Sequence, residues 1–116
     1  MFKITKKFEC CSGHMLTGLP ETHPCSRQHG HNYVITVELS NEFLNSVGFV
    51  KDYRELDVIK NWINENMDHK NLNDVFDFNP TAENMAFHLF VLFKGFVPTI
   101  TAVEVSETPK TNARFE

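Results

Sequence analysis

Residues 29 to 39, His-Gly-His-Asn-Tyr-Val-Ile-Thr-Val-Glu-Leu, constrain this chain more than any other stretch. Side chains along a strand alternate between faces. His29, His31, Tyr33, Ile35, Val37 and Leu39 therefore share one face, and Asn32, Thr36 and Glu38 take the other. The pattern predicts a strand over about 30–39 with one apolar face. The same face carries two imidazoles one residue apart, which can converge on a single ion, so a metal-ligand surface and a core surface are continuous here.

The remaining elements follow from periodicity and punctuation. Phe2, Ile4 and Phe8 share a parity that Lys3 and Lys7 do not, which predicts a first strand over 2–8. Gly13, Gly18, Pro20 and Pro24 mark a loop. Asn41 to Ser46 reads as a turn and Val47 to Val50 as a short extended piece. Asp52 with Glu55 forms a capping-box pattern before Leu56, Ile59, Ile63 and Met67, which predicts an amphipathic helix over 53–66. Asp68 to Asp74 is a polar loop. Thr81 is the N-cap of a second helix whose buried stripe is Met85, Leu89, Leu92 and Phe93, and Gly95 ends it. Alternation returns over 99–107, Pro109 interrupts it, and a closing edge strand follows. Strand, strand, helix, helix, strand, strand is an α+β order: a four-stranded antiparallel sheet with two helices on one face. At 116 residues the chain is expected to form one domain, 1–116.

A net charge of −4 argues against a nucleic-acid partner, which wants a basic face. No apolar run reaches the length of a membrane span, and no apolar stretch follows the N-terminal lysines, so neither membrane nor secretion is expected. Three cysteines, two of them adjacent, suit a disulfide framework poorly and point to a cytoplasmic protein.

The chemistry-bearing residues gather around the His29/His31 pair. Catalytic zinc sites take three protein ligands and leave a fourth position open. His14 is the third ligand that an adjacent antiparallel strand can bring beside the pair. Imidazole ligation suits zinc, with copper, nickel and ferrous iron also compatible. Cys25 reads either as a packed loop thiol or as a thiolate base beside a cation and a histidine. Asp68 and His69 read either as a polar helix end or as an acid/base imidazole supported by a carboxylate. Glu107 shares a strand face with Val103 and Val105; an acid there usually has a partner or a function, and its two oxygens match the paired donors of an aminopyrimidine edge. Glu83 serves the helix dipole, Cys10 and Cys11 pack, and His23 and His88 are incidental.

Six ordered blocks complete the pattern: His14 with Leu16, Cys25-x-x-x-His29-Gly30-His31-Asn32-Tyr33, Gly48-Phe49-Val50-x-Asp52-Tyr53, Asp68-His69-x-x-Leu72-Asn73, Pro80-Thr81-Ala82-Glu83-Asn84, and Glu107-Thr108. Nearly end to end, the chain resembles the 6-pyruvoyl-tetrahydropterin synthase superfamily, and most closely its bacterial 6-carboxy-5,6,7,8-tetrahydropterin synthase branch. Met15 departs from a common basic residue and Tyr53 from a common Phe.

The resemblance implies the tunnelling fold, homo-oligomers (usually hexamers built from two trimers) and active sites between subunits. It implies one zinc per subunit on His14, His29 and His31, with Cys25 as the proton-abstracting base and His69 beside Asp68 as the relay. Glu107 is implied as pterin anchor and relay member, and Thr81 as a pocket residue. The substrate implied is 7,8-dihydroneopterin triphosphate. The spacing of Cys25 looks like the carboxy-forming branch, a lyase of queuosine precursor synthesis. The alternatives are the pyruvoyl-forming reaction and, in a different class, a non-catalytic metal- or pterin-binding protein. Arg27 and Lys70 are candidate triphosphate cations by sequence proximity alone.

Overall fold

The computed structural model describes residues 1–116. Strands β1 (Phe2–His14) and β2 (His29–Asn41) pair antiparallel along their whole length, from Phe2 opposite Asn41 to His14 opposite His29. β3 (Ile100–Thr108) pairs with β2, and β4 (Thr111–Phe115) with β3, giving an antiparallel sheet of order β1-β2-β3-β4. Helices α1 (Asp57–Asn66), α2 (Leu72–Val75) and α3 (Ala82–Phe96) lie in sequence between β2 and β3. The expected α+β order is present, with the single turn of α2 added inside what reads as a polar loop.

The register explains the core. Phe8 and Cys10 face Ile35 and Tyr33 across the first ladder, and Ile35 and Val37 pair with Val105 and Val103 across the second. Onto this face pack Leu56, Ile59, Ile63 and Met67, then Leu72, then Met85, Leu89 and Phe93, all within one cluster of 20 buried residues. Full removal of each large side chain from water is worth roughly 1.5–3 kcal/mol, which is what fixes the faces. The opposite face of the sheet is polar; there Arg114 pairs with Glu38 at 2.6 Å and with Glu104 at 3.5 Å. No helix is long and apolar enough to cross a membrane.

Several boundaries differ from those read off the sequence. β1 runs six residues past Phe8, because pairing with β2 sustains it where Cys10, Ser12 and His14 supply no apolar signal. Val47 to Val50 is a turn rather than an extended piece: Asn45 Oδ1 accepts from the N–H groups of Val47 and Phe49, and Gly48 takes φ +97°. The first helix begins as a 3₁₀ turn over Tyr53–Leu56, capped by the Asp52 side chain on the Arg54 N–H; Glu55 does not complete the box and lies 3.8 Å from Lys51 instead. α3 passes through Gly95 to Phe96. Pro98, which disfavours helix at the residue before it, ends α3 at Val97.

Candidate metal centre

The β1–β2 register places His14 directly opposite His29, with His31 two residues along the same face. The ring centroids are 4.5, 5.1 and 4.9 Å apart for the pairs 14–29, 14–31 and 29–31, and one nitrogen from each lies within 4.8 Å of the others. His14 is buried, while His29 and His31 are half-buried.

Two backbone carbonyls select the tautomers. His14 Nδ1 lies 2.9 Å from the Pro80 carbonyl oxygen, and His29 Nδ1 lies 2.6 Å from that of Arg27. A carbonyl can only accept, so each Nδ1 carries the proton and each Nε2 presents a lone pair. Those two Nε2 atoms face each other at 2.9 Å. Two acceptors at that separation repel unless a cation lies between them, and the outer carbonyls play the orienting role usual around metal-bound histidine. The three histidines fit a metal ion on this ground. Burial lowers the pKa of His14 from 6.5, opposed by the Pro80 carbonyl and Glu107 and reinforced by the two neighbouring imidazoles, which keeps the ring in its ligating neutral form.

Two further groups close around the cluster. Glu107, one residue beyond the Val34–Ser106 pair, puts its oxygens 3.9 Å from His14 Nε2 and 3.8 Å from His31 Nε2. Its carboxylate thus faces the imidazole cluster, beyond hydrogen-bond distance of either ring. Tyr33 is fully buried with its hydroxyl 3.0 Å from His14 Nδ1. Burial, then the charge of Glu107, raises the pKa of that phenol well above its ordinary value. Tyr33 reads in the sequence as core; a phenol on an apolar face two residues past His31 is the only signal of its contact with His14.

The other candidates sit nearby on separate supports. Cys25 lies in a 3₁₀ turn, Pro24–Ser26, with its N–H on His23 Nδ1 at 3.1 Å and its carbonyl accepting from the Leu16 N–H at 2.8 Å. His23 therefore caps this turn. Asp68 Oδ1 accepts from the Cys11 N–H at 2.9 Å, and the His69 N–H donates to the Cys11 carbonyl at 2.6 Å. The dyad thus docks on the free edge of β1. His69 holds φ +57°, its ring 82 % exposed and 3.6 Å from Asp68 Oδ2. Neither Cys25 nor His69 reaches the imidazole cluster through a hydrogen bond within the chain. A trough of about 1210 Å³ is lined by His31, Glu107 and Asp68 among others, joining the cluster to the dyad's carboxylate. Thr81 Oγ1 accepts from the Asn84 N–H at 3.1 Å as the cap of α3. His88 packs against Phe76 and Phe78, away from the site. Arg27 and Lys70 contribute backbone carbonyls, to His29 and to the Gly13 N–H.

Known proteins share this arrangement of elements. The family described as 6-pyruvoyl tetrahydropterin synthase matches residues 3–116. The chain is 31% identical to the 6-carboxy-5,6,7,8-tetrahydropterin synthase of Rickettsia felis, over 94% of this chain and 96% of that one. It is 31% identical to the 6-pyruvoyl tetrahydrobiopterin synthase of Dictyostelium discoideum, over 72% and 67% of the two chains. The structure of Caenorhabditis elegans 6-pyruvoyl tetrahydropterin synthase superposes with a TM-score of 0.87 at 25% identity, covering 99% of this chain and 94% of that one.

Proposed function

Because the chain belongs to the 6-pyruvoyl tetrahydropterin synthase family, whose members are lyases on the tunnelling fold, we propose that it converts 7,8-dihydroneopterin triphosphate into 6-carboxy-5,6,7,8-tetrahydropterin, acetaldehyde and triphosphate. The observation that carries the metal-dependent chemistry is the facing pair of Nε2 lone pairs on His14 and His29, with His31 beside them. The carboxy-forming product is supported by the R. felis likeness and by Cys25 standing four residues before His29.

His14, His29 and His31 hold zinc in this reading. Zinc, when bound, supplies Lewis-acid polarisation of the side-chain hydroxyl and carbonyl oxygens of the substrate. Cys25, as thiolate, removes a proton from the activated side-chain carbon. His69, its ring backed by Asp68, returns a proton to the ring system, so the side chain is oxidised as the pyrazine ring is reduced. No external redox cofactor is needed. Expulsion of triphosphate and cleavage of one carbon–carbon bond, with water consumed, release acetaldehyde and leave the carboxylate on the pterin. Glu107 accepts the paired N–H donors of the pterin edge, and Thr81 lines its pocket. The enzyme works in the cytoplasm as a homo-oligomer, a hexamer of two trimers. That assembly lets Cys25 and His69 meet across an interface, which fits their separate supports and the open edges of β4 and of β1 before Cys11. The product feeds queuosine precursor synthesis.

Incubation with dihydroneopterin triphosphate and zinc, followed by mass analysis, tests the proposal. Acetaldehyde with the 6-carboxy product is expected. The D. discoideum likeness favours a second reading, elimination of triphosphate without side-chain cleavage; a pyruvoyl product without acetaldehyde selects it. No turnover by the zinc-loaded protein refutes both.

A further inference from the structure

We propose that Asn73 and Asn79 are positioning residues for the metal ligand His14, their side-chain amides standing in for a missing neighbouring strand. The inference rests on the reading that the three histidines hold a metal.

His14 is the last residue of β1, and the ladder with β2 ends at the His14–His29 pair. A ligand on a fraying strand end has no fixed direction unless the chain beyond it is held. The free edge of β1 supplies the hold. The Gly13 N–H donates to the Lys70 carbonyl at 3.0 Å, the start of a ladder along that edge. Two residues on, the Met15 N–H donates to Asn73 Oδ1 at 2.8 Å and Asn73 Nδ2 donates to the Met15 carbonyl at 2.9 Å. Two residues further, the Thr17 N–H donates to Asn79 Oδ1 at 3.0 Å and Asn79 Nδ2 donates to the Thr17 carbonyl at 3.1 Å. In an extended segment, backbone groups of alternate residues point to one side. A carboxamide offers the same donor and acceptor as a peptide. Positions 13, 15 and 17 are therefore zipped one after another, first by backbone and then by two amides.

The amides are themselves anchored. Asn73 sits in α2, with its N–H on Asn71 Oδ1 at 3.2 Å. The Asn79 carbonyl accepts from Asn84 Nδ2 of α3 at 2.9 Å. Asn79 also directly precedes Pro80, whose carbonyl fixes the His14 tautomer. One dipeptide thus holds both the backbone after His14 and the proton on its ring.

The test compares Asn73→Ala and Asn79→Ala with Asn45→Ala, which removes two similar side-chain-to-backbone bonds in the 45–49 turn. Zinc affinity is read by competition with a chromophoric chelator, and ligand geometry by the visible spectrum of cobalt(II). Loss of an orienting partner typically weakens metal affinity about 10- to 100-fold. Each of Asn73→Ala and Asn79→Ala is expected to do so and to alter the cobalt spectrum, while Asn45→Ala lowers only the melting temperature. Zinc affinities within twofold of the parent, or an equal loss in Asn45→Ala, overturn the inference. A second measurement needs no variant. Coupling is reciprocal, so zinc must slow hydrogen exchange at the Met15 and Thr17 amides relative to those of Val47 and Phe49; unchanged exchange also overturns it. A parent chain that takes up no metal refutes the zinc reading, and this inference with it.

Discussion

Replacing His14 and His29 separately by alanine separates the two duties of the metal face. The His14 ring is 1% exposed, and its Nδ1 lies within hydrogen-bond reach of the Pro80 carbonyl and the Tyr33 hydroxyl. Truncation leaves buried polar groups without that partner, at a cost of about 1–3 kcal/mol. An unfolding entropy of about 2.1 cal/mol/K per residue over 116 residues converts each kcal/mol into roughly 4 °C. Metal-free His14→Ala is therefore expected to melt about 4–12 °C below the parent. His29 is half-buried and its Nδ1 bonds only to the Arg27 carbonyl, so metal-free His29→Ala is expected within about 2 °C of the parent. Zinc at a hundredfold excess over its dissociation constant stabilises the folded state by about 2.7 kcal/mol. The parent should then gain roughly 11 °C, and both variants should lose that gain. Differential scanning fluorimetry with and without chelator reads all six values. A full zinc-dependent rise in either variant would refute the three-histidine centre. A metal-free His14→Ala melting with the parent would refute the structural share given to that ring.

Cys25→Ala should lower turnover by about 10²–10⁴-fold while keeping the zinc-dependent rise in melting temperature; retained turnover rejects the thiolate base. His69→Gly relieves a non-glycine residue at φ +57° and should stabilise the fold by up to about 1 kcal/mol yet cost turnover on the order of 10²–10⁴. Denaturant midpoints and product formation check the two halves, and a destabilised His69→Gly would show that the ring itself supports the loop. In the metal-free chain burial lowers the folded pKa of His14 below its unfolded 6.5. The unfolded state then binds the proton more tightly, so the stability it contributes is present above pH 6.5 and lost as pH falls through the folded value. Urea midpoints between pH 8 and 5 should fall more steeply for the parent than for His14→Ala; parallel slopes refute it.

What the sequence reveals and what it hides divide along the sheet. The odd-numbered positions of β2 are legible because apolar alternation continues without a break into His29 and His31, and the six motif blocks place the family. The last six residues of β1 are not legible as strand. Cys10, Ser12 and His14 carry the inward face with small or polar groups, and only the ladder to β2 makes them extended. Glu107 is legible as an acid on an apolar face, but its nearness to two imidazoles depends on the β2–β3 register. The contacts of Tyr33, the carbonyls of Pro80 and Arg27, and the clamps of Asn73 and Asn79 leave no periodic trace. A backbone carbonyl has no letter in the sequence, and an asparagine in a polar loop looks the same whether it faces water or a strand edge.

The division of labour between strands and loops follows from what each group must do. A metal centre needs ligands fixed to a few tenths of an ångström, which rigid elements supply. His14, His29, His31 and Glu107 come from three adjacent strands in register, so the packing that buries Ile35, Val37 and Val105 also fixes the spacing of the site. The exception is His14, which ends the edge strand β1 and has no strand on its outer side. There the chain recruits two amides and a carbonyl from the 73–80 segment to do what a fifth strand would do. The proton-transfer groups of the proposed mechanism have the opposite requirement, since they must approach a substrate that arrives and leaves. Cys25 on a 3₁₀ turn and His69 on a left-handed residue would meet it, each tied to β1 or the segment just beyond it by a backbone hydrogen bond, with the Asp68 carboxylate adding a second hold on the Cys11 N–H. In the proposed mechanism β1 is thus the common mount: its inner edge aligns the three histidines and its outer edge carries the Asp68–His69 loop. Substitutions that shift the 11–17 backbone should therefore impair metal affinity and proton transfer together, whereas changes confined to the two loops should impair proton transfer alone.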